Sequence, residues 1–133
     1  MLQFILTQIG KIKTAVSSLD TKIARHDGYA PTAGSKFTLE SGTIRVLGLW
    51  AFLSCHVIAS ASASSADILA TVPSNILPSN ATPCVALFFK RGTGMNTYAS
   101  YCTINTNGEV KQSAVSSVQQ NDEFFIQILY KTI

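Results

Sequence analysis

Apolar residues at the start of the chain recur in a strict alternation of three and four. Leu2, Ile5, Ile9, Ile12, Val16, Leu19 and Ile23 keep this spacing without a break. Such a 3.5-residue period holds one narrow stripe against a partner helix over about three heptads. Leu2, Ile9, Val16 and Ile23 take the a positions, and Ile5, Ile12 and Leu19 take the d positions. Polar Thr7, Thr14 and Thr21 then fall at f, facing solvent. Isoleucine at both seam positions moves the preference from two strands towards three. Gly10 and the threonines make this a weak helix alone, so partner strands would supply its stability. The competing reading is a helix packed on its own domain, but the stripe is narrow for a core-facing helix. Helix signals stop at Arg25-His26-Asp27-Gly28, with Gly28 suited to the C-cap and Pro31 beyond. His26 sits where the helix dipole favours a cation. The expectation is a stalk over residues 1–27 and a hinge over residues 28–36.

From Phe37 onward the period changes to two, with frequent turn residues. A short strand over 37–39, a Ser41-Gly42 turn and a strand over 43–47 are expected, bent at Gly48. Residues 49–59 form a long strand. Leu49, Ala51, Leu53, Cys55, Val57 and Ala59 lie on one face, with Trp50, Phe52, Ser54, His56 and Ile58 on the other. Both faces are largely apolar, as for a strand covered on two sides, one of them by a neighbouring subunit. Residues 60–66 read as a loop and 67–72 as a strand. Pro73, Pro78 and Pro83 punctuate a loop that no central strand can cross. Strands follow over 84–89 and 97–104, then a turn at Asn105-Thr106-Asn107-Gly108, whose Asn and Gly tolerate positive φ. The last strand puts Phe124, Ile126, Ile128 and Tyr130 on one face and Phe125, Gln127, Leu129 and Lys131 on the other. About eight short strands with regular turns indicate a mainly β fold. The architecture expected is an antiparallel, jelly-roll-like β-sandwich head over residues 37–133, carried on a trimeric coiled-coil helix.

Composition narrows the function. Charged residues make up only 13% and hydrophobic ones 47%, which favours burial of surface between subunits. The net charge of +3 is spread along the chain, without the basic patch that nucleic acid requires. The apolar opening is cut short at Thr7 and Gln8 with no basic run ahead of it, unlike a signal peptide. No stretch reaches the ~18 apolar residues of a membrane span. Cys55, Cys84 and Cys102 lack metal-type spacing and read as buried free thiols, suited to folding in a reducing cytosol. Catalytic groupings are missing as well. The two histidines are His26 and His56, and Asp122-Glu123 reads as a polar turn. No Gly-x-Ser-x-Gly elbow occurs, and Arg91-Gly92-Thr93-Gly94 lacks phosphate-loop spacing. Neighbouring Cys55 and His56 would point to opposite faces of one strand. No enzyme, metal or cofactor is expected.

Four stretches carry a family resemblance. They are Phe37-Thr38-Leu39-Glu40-Ser41-Gly42-Thr43, Thr71-Val72-Pro73-Ser74-Asn75-Ile76-Leu77-Pro78-Ser79, Ile104-Asn105-Thr106-Asn107-Gly108-Glu109-Val110, and the closing Phe125-Ile126-Gln127-Ile128-Leu129-Tyr130-Lys131-Thr132. In this order, after a trimer-type coiled coil, the head resembles those of bacteriophage receptor-binding, tail-fibre and baseplate-tip proteins. The resemblance implies a homotrimeric virion protein, assembled in the host cytoplasm and mounted on other fibre, baseplate or capsid proteins. Such a protein attaches the particle to a bacterial cell-surface glycan. A structural fibre or decoration trimer without receptor-binding activity is the alternative. A sugar site would combine a ring platform with planar hydrogen-bonding groups. Arg91, Asn96 and Tyr98 form one candidate group and Asn105 and Asn107 a second. The plainer reading makes Tyr98 and Tyr101 core-edge rings and the asparagines turn formers.

Overall fold

The computed structural model describes residues 1–23, 25–91, 96–113, 115 and 117–133, with side chains for all of these except 20–27. One helix, α1 (Leu2–Ile23), opens the chain. Its Thr7 and Thr14 hydroxyls donate to the carbonyls of Gln3 (2.9 Å) and Gly10 (3.0 Å), which keeps these polar side chains on the helix surface. The side chains of Ile23 and His26, read as seam and cap residues, lie outside the described residues.

Nine strands follow among the described residues: β1 (Arg25–Tyr29), β2 (Thr32–Ala33), β3 (Phe37–Leu47), β4 (Trp50–Ala59), β5 (Ala70–Thr71), β6 (Thr82–Lys90), β7 (Asn96–Ile104), β8 (Glu109–Gln112) and β9 (Glu123–Lys131). All are hydrogen-bonded into one antiparallel sheet in the order β1-β3-β4-β9-β6-β7-β8-β5-β2. Its two edge strands, β1 and β2, are joined through residues 30 and 31 alone. Nine strands cannot lie flat with their outer edges tied so closely, so the sheet curls and encloses the core. The mainly β head with one N-terminal helix stands as the sequence pattern requires, with its strands in one curled sheet.

Local boundaries differ from the sequence reading, and β6 begins early enough to include Pro83, a loop residue in that reading that instead sits opposite Thr103. The helix ends at Ile23, β1 takes residues 25–27 of the segment read as stalk together with the first two residues of the hinge, and β2 takes two more hinge residues. Residues 25–29 pair with β3 and 32–33 with β5, which gives backbone groups at both sheet edges a partner. Residues 37–47 are one strand, broken only by a register shift between Leu39 and Ser41. Gly42 serves a close approach there, since a Cβ would meet Pro31 Cγ at 2.7 Å. Of residues 67–72 only Ala70–Thr71 form strand, and Asp67 instead closes a turn by accepting from Ser64 N at 2.8 Å.

The period-two pattern sets the faces of β4 and β9 as expected. Ala51, Leu53, Val57, Phe124, Ile126, Ile128 and Tyr130 all point into the core and are essentially inaccessible. Tyr130 places a hydroxyl in that core and donates to Ile76 O at 3.0 Å, tying β9 to the short helical turn Ser74–Ile76 of the proline loop. No described helix is long and apolar enough to cross a membrane.

Candidate functional site

Strand directions give the head two unlike ends. The helix enters beside the β3–β4 turn, because Arg25 pairs with Leu47 and Leu47 with Trp50. Trp50 pairs with Lys131, so β9 finishes at this same end, where the helix joins the sheet. At the opposite, distal end β4 finishes, β9 begins, and β6 passes into β7. Ile58 pairs with Glu123, Phe89 with Glu123, and Lys90 with Asn96.

A polar corner is built on that distal end. Asp122 is fully buried and accepts from Arg91 N at 3.1 Å and Gln119 N at 2.8 Å. Burying a carboxylate is costly unless donors surround it, so this pair of backbone bonds fixes the two chain segments together. Asn121 adopts φ 73°, a left-handed conformation that asparagine tolerates well, and its N–H donates to Ala59 O at 2.8 Å. Ala59 N returns a 2.8 Å bond to Asp122 O. Next to this turn, Glu123 is also buried, and its Oε2 accepts from Arg91 Nε at 2.9 Å. The Arg91 side chain stays 59% exposed, so one edge of the guanidinium is pinned while the rest meets solvent. His56 Nε2 lies 3.4 Å from Glu123 Oε1 without hydrogen-bond alignment, and its ring stacks on Phe125 at 4.0 Å.

Ile58, Arg91, Gln120, Asn121 and Glu123 line a cavity of about 350 Å³ at this corner. A forked cation, two amides and a carboxylate over an aliphatic floor can donate to and accept from a hydroxyl-rich ligand. No set of three or more metal-ligating side chains occurs among the described residues.

The five residues put forward as sugar ligands do not form one site. Arg91 lines the distal cavity. Asn96 and Tyr98 share that end but do not line the cavity, and Tyr98 is 48% exposed with its ring 6.3 Å from that of Phe88. Asn105 and Asn107 lie at the end where the helix joins the sheet, about 30 Å away by the rise of β7. There they build a turn, with Gly108 N donating to Asn105 O at 2.9 Å and Glu109 N to Asn107 Oδ1 at 3.1 Å. Residues 92–95 of the candidate loop lie outside the described residues. The sequence reading missed Gln120, Asn121, Ile58 and Glu123. The polar turn read at Asp122-Glu123 marked this segment, but nothing local placed that turn against Arg91.

Among the described residues, two apolar surfaces remain uncovered. Along α1, the seam side chains from Leu2 to Leu19 are all exposed, from 46% at Ile5 to 71% at Leu2. The stripe is therefore not packed on its own sheet. The outer face of β4, β9 and β6 presents Trp50, Phe52, Leu129, Val85 and Leu87, also exposed. In that face a groove of about 380 Å³ has Ser54, His56 and Gln127 among its walls.

No protein-family model matches the chain, and no curated protein matches it in sequence. Among solved structures, the head domain of the lactococcal phage bIL170, described among the receptor-binding domains of such phages, superposes with a TM-score of 0.59. That match has 13% identity and covers 81% of this chain and 100% of that one. The receptor-binding protein gp15 of Listeria phage PSA superposes with a TM-score of 0.55 at 15% identity, covering 98% of this chain and 80% of that one. Coverage that high takes in α1 as well as the sheet. The fold is that of phage receptor-binding head domains.

Proposed function

We propose that this chain attaches a bacteriophage to its host, as a homotrimer whose distal ends bind a cell-surface saccharide. The observation that carries this reading is the polarity of the molecule. An unpartnered isoleucine-rich stripe projects from one end, and a hydrogen-bonded polar corner occupies the other. The shared fold with two phage receptor-binding structures supports it. In this reading α1 is the stalk directed towards fibre, baseplate or capsid proteins of the virion. Three copies of its stripe bury one another, and the exposed outer sheet faces add to the contact. An uncovered apolar surface of this extent is unusual for a monomer of 13% charged residues. Arg91, Gln120 and Asn121 read hydroxyls at the distal cavity, while Asn96 and Tyr98 flank it at the same end. Asn105 and Asn107 face the stalk and do not take part. Three weak sites on one rigid body gain avidity through effective concentration.

The test is whole-cell and polysaccharide binding by the labelled full chain across a panel of bacteria and their purified wall polysaccharides. On a binding strain, Arg91→Ala and Asn121→Gly should each lose at least about tenfold in affinity, the worth of one charge-assisted or bidentate contact. Asn107→Ala should bind as the parent does. Loss at Asn107 with none at Arg91 would refute the assignment. Binding to no strain, with particle assembly lost when residues 37–133 are deleted, would favour the structural-fibre alternative.

A further inference from the structure

The three cysteines are separated by 28 and 17 residues in sequence, yet they converge in the fold. Cys84 on β6 and Cys102 on β7 are direct cross-strand partners. Both side chains lie on the inner face of the sheet, Cys102 fully buried and Cys84 only partly so. Directly opposite residues of an antiparallel pair share a face and have Cα atoms about 4.5 or 5.5 Å apart. Both spacings fall inside the roughly 4.4–6.8 Å that protein disulfides span. Cys55 differs. It sits on β4, and β9 intervenes between β4 and β6. Two strand spacings and a two-residue offset along the strands put its backbone roughly 11 Å from that of Cys84, beyond the reach of a bridge.

We propose that Cys84 and Cys102 are an oxidation site, a dithiol that a low-molecular-weight disulfide converts into a cross-strand disulfide while Cys55 stays a thiol. The local chemistry sets the order of events. A hydrogen bond from the neighbouring Cys102 thiol holds the Cys84 pKa below its usual value, against the opposing effect of burial. The same contact, then burial, pushes Cys102 up, and burial followed by the charge of Cys84 pushes Cys55 up to about 12. Cys84 is thus the thiol that ionises first and the one nearest solvent, both of which favour it as the attacking sulfur. Its thiolate attacks one sulfur of the small disulfide. That S–S bond breaks, one small thiolate leaves and takes a proton, and a mixed disulfide remains on Cys84. Cys102 loses its proton to solvent and attacks Cys84 Sγ, expelling the second small thiol. Two electrons and two protons pass from the protein to the reagent, which becomes two thiols.

The bridge would close residues 84–102 into a loop. That loop contains Arg91, Asn96 and Tyr98, so oxidation would staple the hairpin that presents them. The dithiol chemistry itself does not depend on the attachment role.

The full native chain is incubated with oxidised glutathione, quenched in acid, unfolded and alkylated with N-ethylmaleimide. Intact mass then counts the thiols. Alkylatable thiols should fall from three to one in the parent protein and from two to none in Cys55→Ser. Proteolysis should yield one Cys84–Cys102 linked peptide that dithiothreitol releases. Cys84→Ser should form no bridge. Three thiols persisting in the parent protein, a linked peptide containing Cys55, or a stable glutathione adduct on Cys84 would each overturn the proposal. The parent protein alone can give any of these results, so a variant that fails to fold does not shelter it.

Discussion

Replacing two adjacent seam residues, Ile9→Ala with Ile12→Ala, tests the stalk most directly. Ile9 is 55% exposed and Ile12 63% exposed in the single chain. Fully burying an isoleucine side chain is worth about 1.5–3 kcal/mol, so covering these exposed fractions contributes about 1–2 kcal/mol at each position. Truncation to alanine removes most of that gain. A trimer holds six such side chains, so the assembly should lose about 6–10 kcal/mol. At about 1.4 kcal/mol per decade, the three-body dissociation constant rises by four to seven decades. That constant carries concentration squared, so the midpoint concentration for assembly should rise by about two to three and a half decades. Alanine is the strongest helix former, so a weakened helix would not explain the change. Sedimentation equilibrium across a concentration series measures it. The parent should sediment as three times 14.3 kDa and the double variant should dissociate towards 14.3 kDa. A variant whose midpoint stays within threefold of the parent would refute the seam, and would leave the outer sheet face as the sole candidate for holding copies together. A parent that is monomeric at every concentration would remove the trimer altogether.

Tyr130→Phe removes the hydroxyl that meets Ile76 O in the core and should cost about 1 kcal/mol, a fall in Tm of roughly 3–4 °C by calorimetry. Gly34→Ala would press a Cβ into the carbonyl of Ile68, and it should cost more than about 3 kcal/mol or prevent soluble expression. Gly10→Ala, with open space around it, should leave the urea midpoint unchanged or raise it. Asp67 is held below its ordinary pKa by the Ser64 N–H first and by Lys36 second. A depressed carboxylate contributes stability above its unfolded pKa and loses it as pH falls through the folded value. Urea midpoints followed from pH 6 to pH 2.5 should therefore drop less steeply for Asp67→Asn than for the parent, and parallel curves would refute that account.

Two kinds of information reached the fold from different distances along the chain. The helix stripe and the faces of β4 and β9 are periodic signals within a single element, so residues 2–19, 51–59 and 124–130 could be assigned without knowing what they meet. The Asn107-Gly108 turn is equally local, because its geometry needs a positive φ that few residues supply. Other features depend on partners far away in sequence. Residues 25–33 carry no strand signal of their own and are drawn into the sheet because β3 and β5 offer unpaired backbone there. Arg91 gains its setting from Asp122 and Glu123, some thirty residues on. The register that sets Cys84 against Cys102 follows from pairing two whole strands.

The amino-acid pattern by itself thus determined a mainly β head on an amphipathic helix with an unusually apolar exterior, because periodicity and burial are properties of one segment at a time. The closing of nine strands into one curled sheet, the polar corner at its far end and the meeting of the cysteines were decided only in three dimensions. Hydrogen-bond register between distant strands, which no local preference encodes, selects those neighbours.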